Sequence, residues 1–191
     1  RLNEILQNGG HWVDLGAGPF DAVANLALRG EFLPDVRVKI TGFNHLDLMS
    51  PFVKQLSANE KNLVLSQVVG DFQKLDTSRL RYIDLISDLY GVSTYTPQLD
   101  EAILKAGRML KAGGVMVIIS KWPHAHLVDA DGMPIQVTRW FNQIRGMELV
   151  DPLGFRRGDV IALRRTWETI KVPKLSLVSF WRGGISRIPH R

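Results

Sequence analysis

The sequence predicts a doubly wound α/β fold built on a mostly parallel sheet of seven strands, with an antiparallel last strand pair. Three observations predict it. Short apolar runs rich in Val and Ile recur along the chain. Helically spaced segments separate the early runs, and strand–helix alternation gives parallel strands with right-handed crossovers. The last two runs are joined by too few residues for a helical crossover, so they must pair antiparallel.

The elements follow in order. His11–Leu15, Val36–Phe43, Leu63–Val69, Tyr82–Ser87 and Val115–Ser120 are nearly continuous in apolar character. That pattern suits strands covered on both faces. Phe20–Arg29 carries Phe20, Val23, Ala24, Ala27 and Leu28 on one helical stripe, and Leu99–Leu110 carries Leu99, Ile103, Ala106 and Leu110. Gly113-Gly114 is placed to stop the second helix. Val137–Arg145 reads as a further helix. Glu148–Val150 and Val160–Arg165 form the final strand pair, and Leu175–Phe180 is a further strand or an arm. One domain is expected over residues 1–170, followed by a basic C-terminal extension, 171–191.

Composition narrows the function classes. The chain has 191 residues, of which 45% are hydrophobic and 23% charged, which excludes wholesale disorder. With no cysteine, a disulfide framework, a thiolate metal site and a cysteine nucleophile are all excluded. No apolar run approaches the ~20 residues of a membrane span, and no signal peptide is visible, so a cytoplasmic location is expected. Residue 1 is Arg rather than Met, so a natural start upstream is also expected. Residues 1–150 carry 15 Lys+Arg against 16 Asp+Glu, whereas residues 151–191 carry 9 against 3. A tail this basic can bind RNA through counterion release or serve as a solvated surface.

The chemistry concentrates at Trp12-Val13-Asp14-Leu15-Gly16-Ala17-Gly18-Pro19-Phe20. Here a strand enters two glycines and then a helix. Gly16 and Gly18 let the backbone approach a ligand at the crevice where strand order reverses. A dinucleotide fingerprint would need a third glycine where Asp21 stands, and Pro19 offers no N–H to a pyrophosphate. No Gly-Lys-Ser/Thr follows, so the loop is not a P-loop.

The Asp14-to-Gly18 stretch resembles the first motif of the class I S-adenosylmethionine (SAM)-dependent methyltransferases, a Rossmann-like family. Further motifs follow in the same order over residues 11–165. Thr41-Gly42-Phe43-Asn44 ends the second strand, with Asn44 in place of the ribose-gripping acid and His45 beside it. Val69-Gly70-Asp71-Phe72 resembles the third motif, whose Asp takes the adenine amino group and whose neighbour packs on the ring. Tyr82–Tyr90 resembles the fourth, and Leu110–Val115 the turn into strand five. The resemblance implies SAM as cofactor, with Asp14, Gly16, Ala17, Gly18, Asn44, His45, Asp71, Phe72 and Asp88 around it. Asp88 is also expected to border the methyl-transfer point. Lys121 and His124, on the rim after strand five, join it as candidate catalytic groups, and Tyr90 as a candidate pocket wall. His124-x-His126 lacks an evident third ligand, so no metal is expected.

The acceptor is less defined. The Asn/Asp-Pro-Pro-Tyr/Phe motif of DNA-amine methyltransferases is missing after strand four. Arg1, Asp88, Lys121 and Asp159 resemble, with two substitutions, the Lys-Asp-Lys-Glu tetrad of RNA ribose 2′-O-methyltransferases of the heat-shock type. Arg cannot exchange a proton as Lys can. The segment from Tyr95 to Asp100 is more similar to small-molecule methyltransferases. The leading expectation is a methyltransferase acting on a small-molecule nucleophile. The alternatives are an RNA ribose 2′-O-methyltransferase and a non-catalytic SAM-binding or scaffold domain.

Overall fold

Strand β1 (Gly10–Leu15) lies mid-sheet because both its faces are apolar. Trp12 packs into one core cluster, and Val13 and Leu15 into the other, as the period of two requires. The computed structural model describes residues 2–122, 125–150 and 160–180. Around β1 stand β2 (Val38–Asn44), β3 (Leu63–Val69), β4 (Ile83–Leu89), β5 (Leu110–Ile119), β8 (Met147–Val150) and β9 (Val160–Arg165). Their order is β3-β2-β1-β4-β5-β9-β8. The first five pair in parallel, while β9 runs antiparallel to both β5 and β8. The expected seven-stranded sheet and its antiparallel ending are therefore present. Strand order reverses between β1 and β4, which opens a crevice at the carboxyl ends of these strands.

Helices α1 (Leu2–Asn8), α2 (Asp21–Leu28) and α3 (Pro51–Asn59) accompany the cluster of Ile5, Trp12, Phe20, Val23, Ile40 and Val53. The other cluster takes Leu99, Ile103, Ala106 and Met109 from α5 (Leu99–Met109), and Trp140 and Phe141 from α6 (Val137–Asn142). The predicted stripe on α5 is thus its buried face, each Leu or Ile there stabilising by ~1.5–3 kcal/mol relative to exposure. Helix α4 (Val92–Tyr95) is a single turn after β4. Helix α5 ends before the glycine pair, because Leu110 already pairs with Ile83. Gly114 then takes a bend where a Cβ would lie 2.7 Å from the Ile83 carbonyl oxygen.

A small second sheet was not anticipated. Strands β6 (Ala125–Asp129), β7 (Pro134–Ile135) and β10 (Leu175–Phe180) pair antiparallel in the order β10-β6-β7. Lys171 bridges to Arg145, and Trp140 Nε1 donates to the Pro173 carbonyl at 3.1 Å. These contacts tie 171–180 to the main body. Residues 181–191, the rest of the basic extension, lie outside the described residues.

One packing constraint sits beside the crevice. Phe20 is 1% exposed yet has φ of +67°, a left-handed conformation rare for an aromatic residue. Its ring occupies the space over Gly42, where a Cβ would lie 2.3 Å from Phe20 Cζ and 2.7 Å from Ala17 Cβ. Gly42→Ala is therefore expected to destabilise the protein by ~1–3 kcal/mol through overpacking. Urea unfolding checks this, and the loss should shrink in the Phe20→Leu background, where the ring is gone.

Candidate functional site

The loop after β1 is fastened to the end of β2 by nearly every polar group it has. Gly16 N–H and Ala17 N–H both donate to the Phe43 carbonyl, at 2.9 and 3.2 Å. Gly18 N–H donates to Asn44 Oδ1 at 2.8 Å, and Asn44 Nδ2 returns a bond to the Gly18 carbonyl at 2.9 Å. The Asn44 amide thus clamps the loop with both its ends. Gly16 has φ of +97°, and a Cβ there would lie 2.8 Å from Gly91 Cα. That glycine is required by the protein's own packing. At Gly18, φ is +53° and a Cβ would meet nothing within 4 Å. Gly18 therefore faces open space.

That space is a crevice of about 760 Å³. Its size falls within the ~300–1,000 Å³ of clefts that hold small ligands and cofactors. Gly16, Gly18, Asn44 and His45 line one side, Asp71 and Phe72 another, and Tyr90, Gly91 and Tyr95 a third. Phe72 is buried and meets Phe43 edge-on, ring centroids 5.3 Å apart. Asp71 Oδ1 accepts from the Gln73 N–H at 3.0 Å, while the carboxylate remains partly exposed.

Two further carboxylates lie beneath. Asp14 Oδ1 accepts from Ser87 Oγ at 2.9 Å, and that hydroxyl accepts from Trp12 Nε1 at 2.7 Å. Burial pushes Asp14 up to about 6, against the pull of the Ser87 hydroxyl. Asp88 is 3% exposed, and its Oδ2 accepts from the Ser93 N–H at 2.8 Å across the start of α4. Burial pushes it also to about 6, against hydrogen bonds from Ser93 and Gly91, with the Asp14 charge adding to the rise. Asp88 thus secures the loop after β4, and neither it nor Lys121 lines the crevice. Lys121 is exposed after β5. His124, Arg1 and Asp159 lie outside the described residues.

Lys105, and the backbone strain at Tyr90, escaped sequence reasoning. Lys105 sits at a helix position that reads as a solvated charge, yet its Nζ donates to the carbonyls of Phe72 at 2.6 Å, Gln73 at 3.1 Å and Leu75. It also lies 5.1 Å from the centre of the Phe72 ring. One ammonium therefore organises the turn that presents Asp71 and Phe72. Tyr90 has φ of +54°, and its N–H donates to the Ile119 carbonyl at 2.8 Å. Strain of this kind in a non-glycine residue clusters at functional sites.

No protein-family model matches the chain, and no curated protein matches it. Solved structures do. A SAM-dependent methyltransferase from Methanosarcina mazei superposes with a TM-score of 0.51 at 14% identity, over 87% of this chain and 97% of that one. The CurJ carbon methyltransferase gives 0.51 at 12% identity, over 83% of this chain and 49% of that one. The fold is that of the class I methyltransferases. Across four of the matched structures, CurJ included, this chain spans 21% to 49% of the other's length. In this methyltransferase fold, the crevice above occupies the switch point between β1 and β4. Among the described residues no helix is long and apolar enough to cross a membrane.

Two outcomes follow from the buried charges. A carboxyl raised from 3.8 to about 6 on folding destabilises the native state above that window and not below it. Asp14→Asn should therefore gain on the wild type by ~1–3 kcal/mol as pH rises from about 4 to about 7, read by urea unfolding at each pH. Lys105→Met should cost ~1–3 kcal/mol, because it strands three carbonyls. It should also speed hydrogen exchange at the amides of Lys74 and Leu75, which bond to the Asp71 carbonyl.

Proposed function

We propose that the chain is a SAM-dependent methyltransferase domain that methylates a small-molecule nucleophile. The observation that carries this reading is the state of the glycine loop. The N–H groups of Gly16, Ala17 and Gly18 are all taken up by Phe43 and Asn44, and Pro19 has none. A pyrophosphate needs such donors, so the loop is unsuited to a dinucleotide. It suits a nucleoside without phosphates, lying against bare glycine.

Within this reading Asp71 accepts the adenine amino group, and Phe72, held by Lys105 and Phe43, supports the ring from below. Asn44 keeps the floor rigid, which leaves His45 as the neighbouring polar side chain for the ribose. Bound SAM supplies a methyl group already activated on a sulfonium. The chain's own residues then have to position the acceptor and exclude water. Tyr90 and Tyr95 are placed for that work, as exposed aromatics on the crevice wall. A small acceptor is favoured over an RNA ribose because neither Asp88, buried behind the Ser93 backbone, nor Lys121 lines the crevice. The same geometry makes catalysis by positioning a better account than a dedicated Asp88 or Lys121 base.

The test is ligand-dependent stability. SAM or its demethylated product at about 100 times Kd should add ~2.7 kcal/mol and raise Tm by roughly 5–10 °C. Asp71→Ala should weaken binding about tenfold, the value of one hydrogen bond. Gly18→Val should abolish binding; its φ of +53° strains a Val by ~1–3 kcal/mol, but the side chain meets no protein atom, so the protein should stay folded at a lower Tm. No shift at millimolar ligand would favour a scaffold, and a folded Gly18→Val protein that still binds would contradict the loop's role.

A further inference from the structure

A second cavity, about 910 Å³ in volume, runs along the exposed flank of α5. It meets the crevice at Gln73 and Glu101, which line both. From there it passes Lys105 and Arg108 to the opposite end of the strands, where Tyr82 precedes β4 and Arg165 ends β9.

Its charge is lopsided. Six Lys and Arg side chains line it against two carboxylates, Asp76 and Glu101. Lys111 and Lys174 are paired with acids. Lys105 and Arg165 instead donate to backbone carbonyls, neutral acceptors that leave their charge standing. Arg81, exposed, does the same through its Nε to the Ser78 carbonyl at 2.9 Å. Arg108 is exposed on the wall.

Two aromatic side chains stand in this positive field. Trp167 is 94% exposed, and Tyr82 is 79% exposed. Tyr82 moreover has φ of +61°, a conformation that Asn or Gly would adopt at less cost. A strained residue whose ring is in water contributes nothing to folding that a smaller one would not. The pairing of bare aromatic faces with guanidinium groups is the chemistry of base stacking beside phosphate contacts. An acidic peptide would use the charges and leave the rings idle.

We propose that this groove binds single-stranded nucleic acid, with Trp167 and Tyr82 stacking on bases and Arg81, Arg108 and Arg165 facing phosphates. The groove adjoins the crevice at Gln73 and Glu101, but none of these five side chains lines the crevice, so binding does not depend on SAM. The test is fluorescence anisotropy of the full chain with a labelled mixed-sequence 12-nucleotide RNA, the same sequence as DNA, and a labelled polyglutamate peptide, each at several salt concentrations. Single strands should bind and polyglutamate should bind much more weakly. The better of the RNA and DNA strands identifies the natural class. Trp167→Ala should weaken binding about tenfold. Tyr82→Asn should weaken it several-fold while Tm holds or rises, which separates a binding role from a structural one. Arg108→Gln should lower the salt slope by about one. The proposal is overturned if no single strand binds at low salt, if polyglutamate binds as tightly, or if Trp167→Ala and Tyr82→Asn leave affinity unchanged.

Discussion

The site depends on one short set of hydrogen bonds, those joining the glycine loop to the last two residues of β2. Phe43 offers a single carbonyl to two successive N–H groups, and Asn44 closes a two-bond ring with the backbone of Gly18. Each such bond contributes only about 1 kcal/mol net, but leaving any one unmade beside a buried strand end costs more. The result is a fixed loop with its donors turned inward. That inward turn takes from the loop the N–H donors that a phosphate would use there.

The fold was legible in the sequence because its strands, central or edge, are short and nearly continuous apolar runs set apart by helical spacing. The runs Leu63–Val69 and Val160–Arg165 coincide with β3 and β9, and the stripe on Leu99–Leu110 is the buried face of α5. The small sheet of β6, β7 and β10 was not legible. Its strands are short, and β10 pairs with a segment nearly fifty residues earlier, a contact that local periodicity does not encode. The glycine stop after α5 misled by half a turn, since pairing of Leu110 with Ile83 ended the helix before the glycines could.

Of the candidate site, the sequence showed which residues come together and less of what each one bonds to. Gly16, Gly18, Asn44, His45, Asp71 and Phe72 do line one crevice. What a motif cannot reveal is where a side chain's hydrogen bonds go. Asn44 stands where an acid would grip a ligand, and its amide instead grips Gly18. Asp88 stands at the end of β4, and its carboxylate instead secures the Ser93 backbone. Lys105 carries no motif, yet three carbonyls of the Asp71 turn converge on it. The aromatic rings of the second groove, Tyr82 and Trp167, are far apart in sequence, so no scan along the chain shows them sharing a wall.

Both cavities share α5, whose buried face holds the core while its outer flank links the crevice to the basic groove. The decisive observation for the central claim is a crystal structure grown with the demethylated product of SAM. The account predicts a ligand lying across Gly18, with its purine amino group within hydrogen-bond distance of Asp71 and its ring against Phe72. A ligand bound elsewhere on the chain, or a purine turned away from Asp71 with Gly18 uncovered, would contradict it.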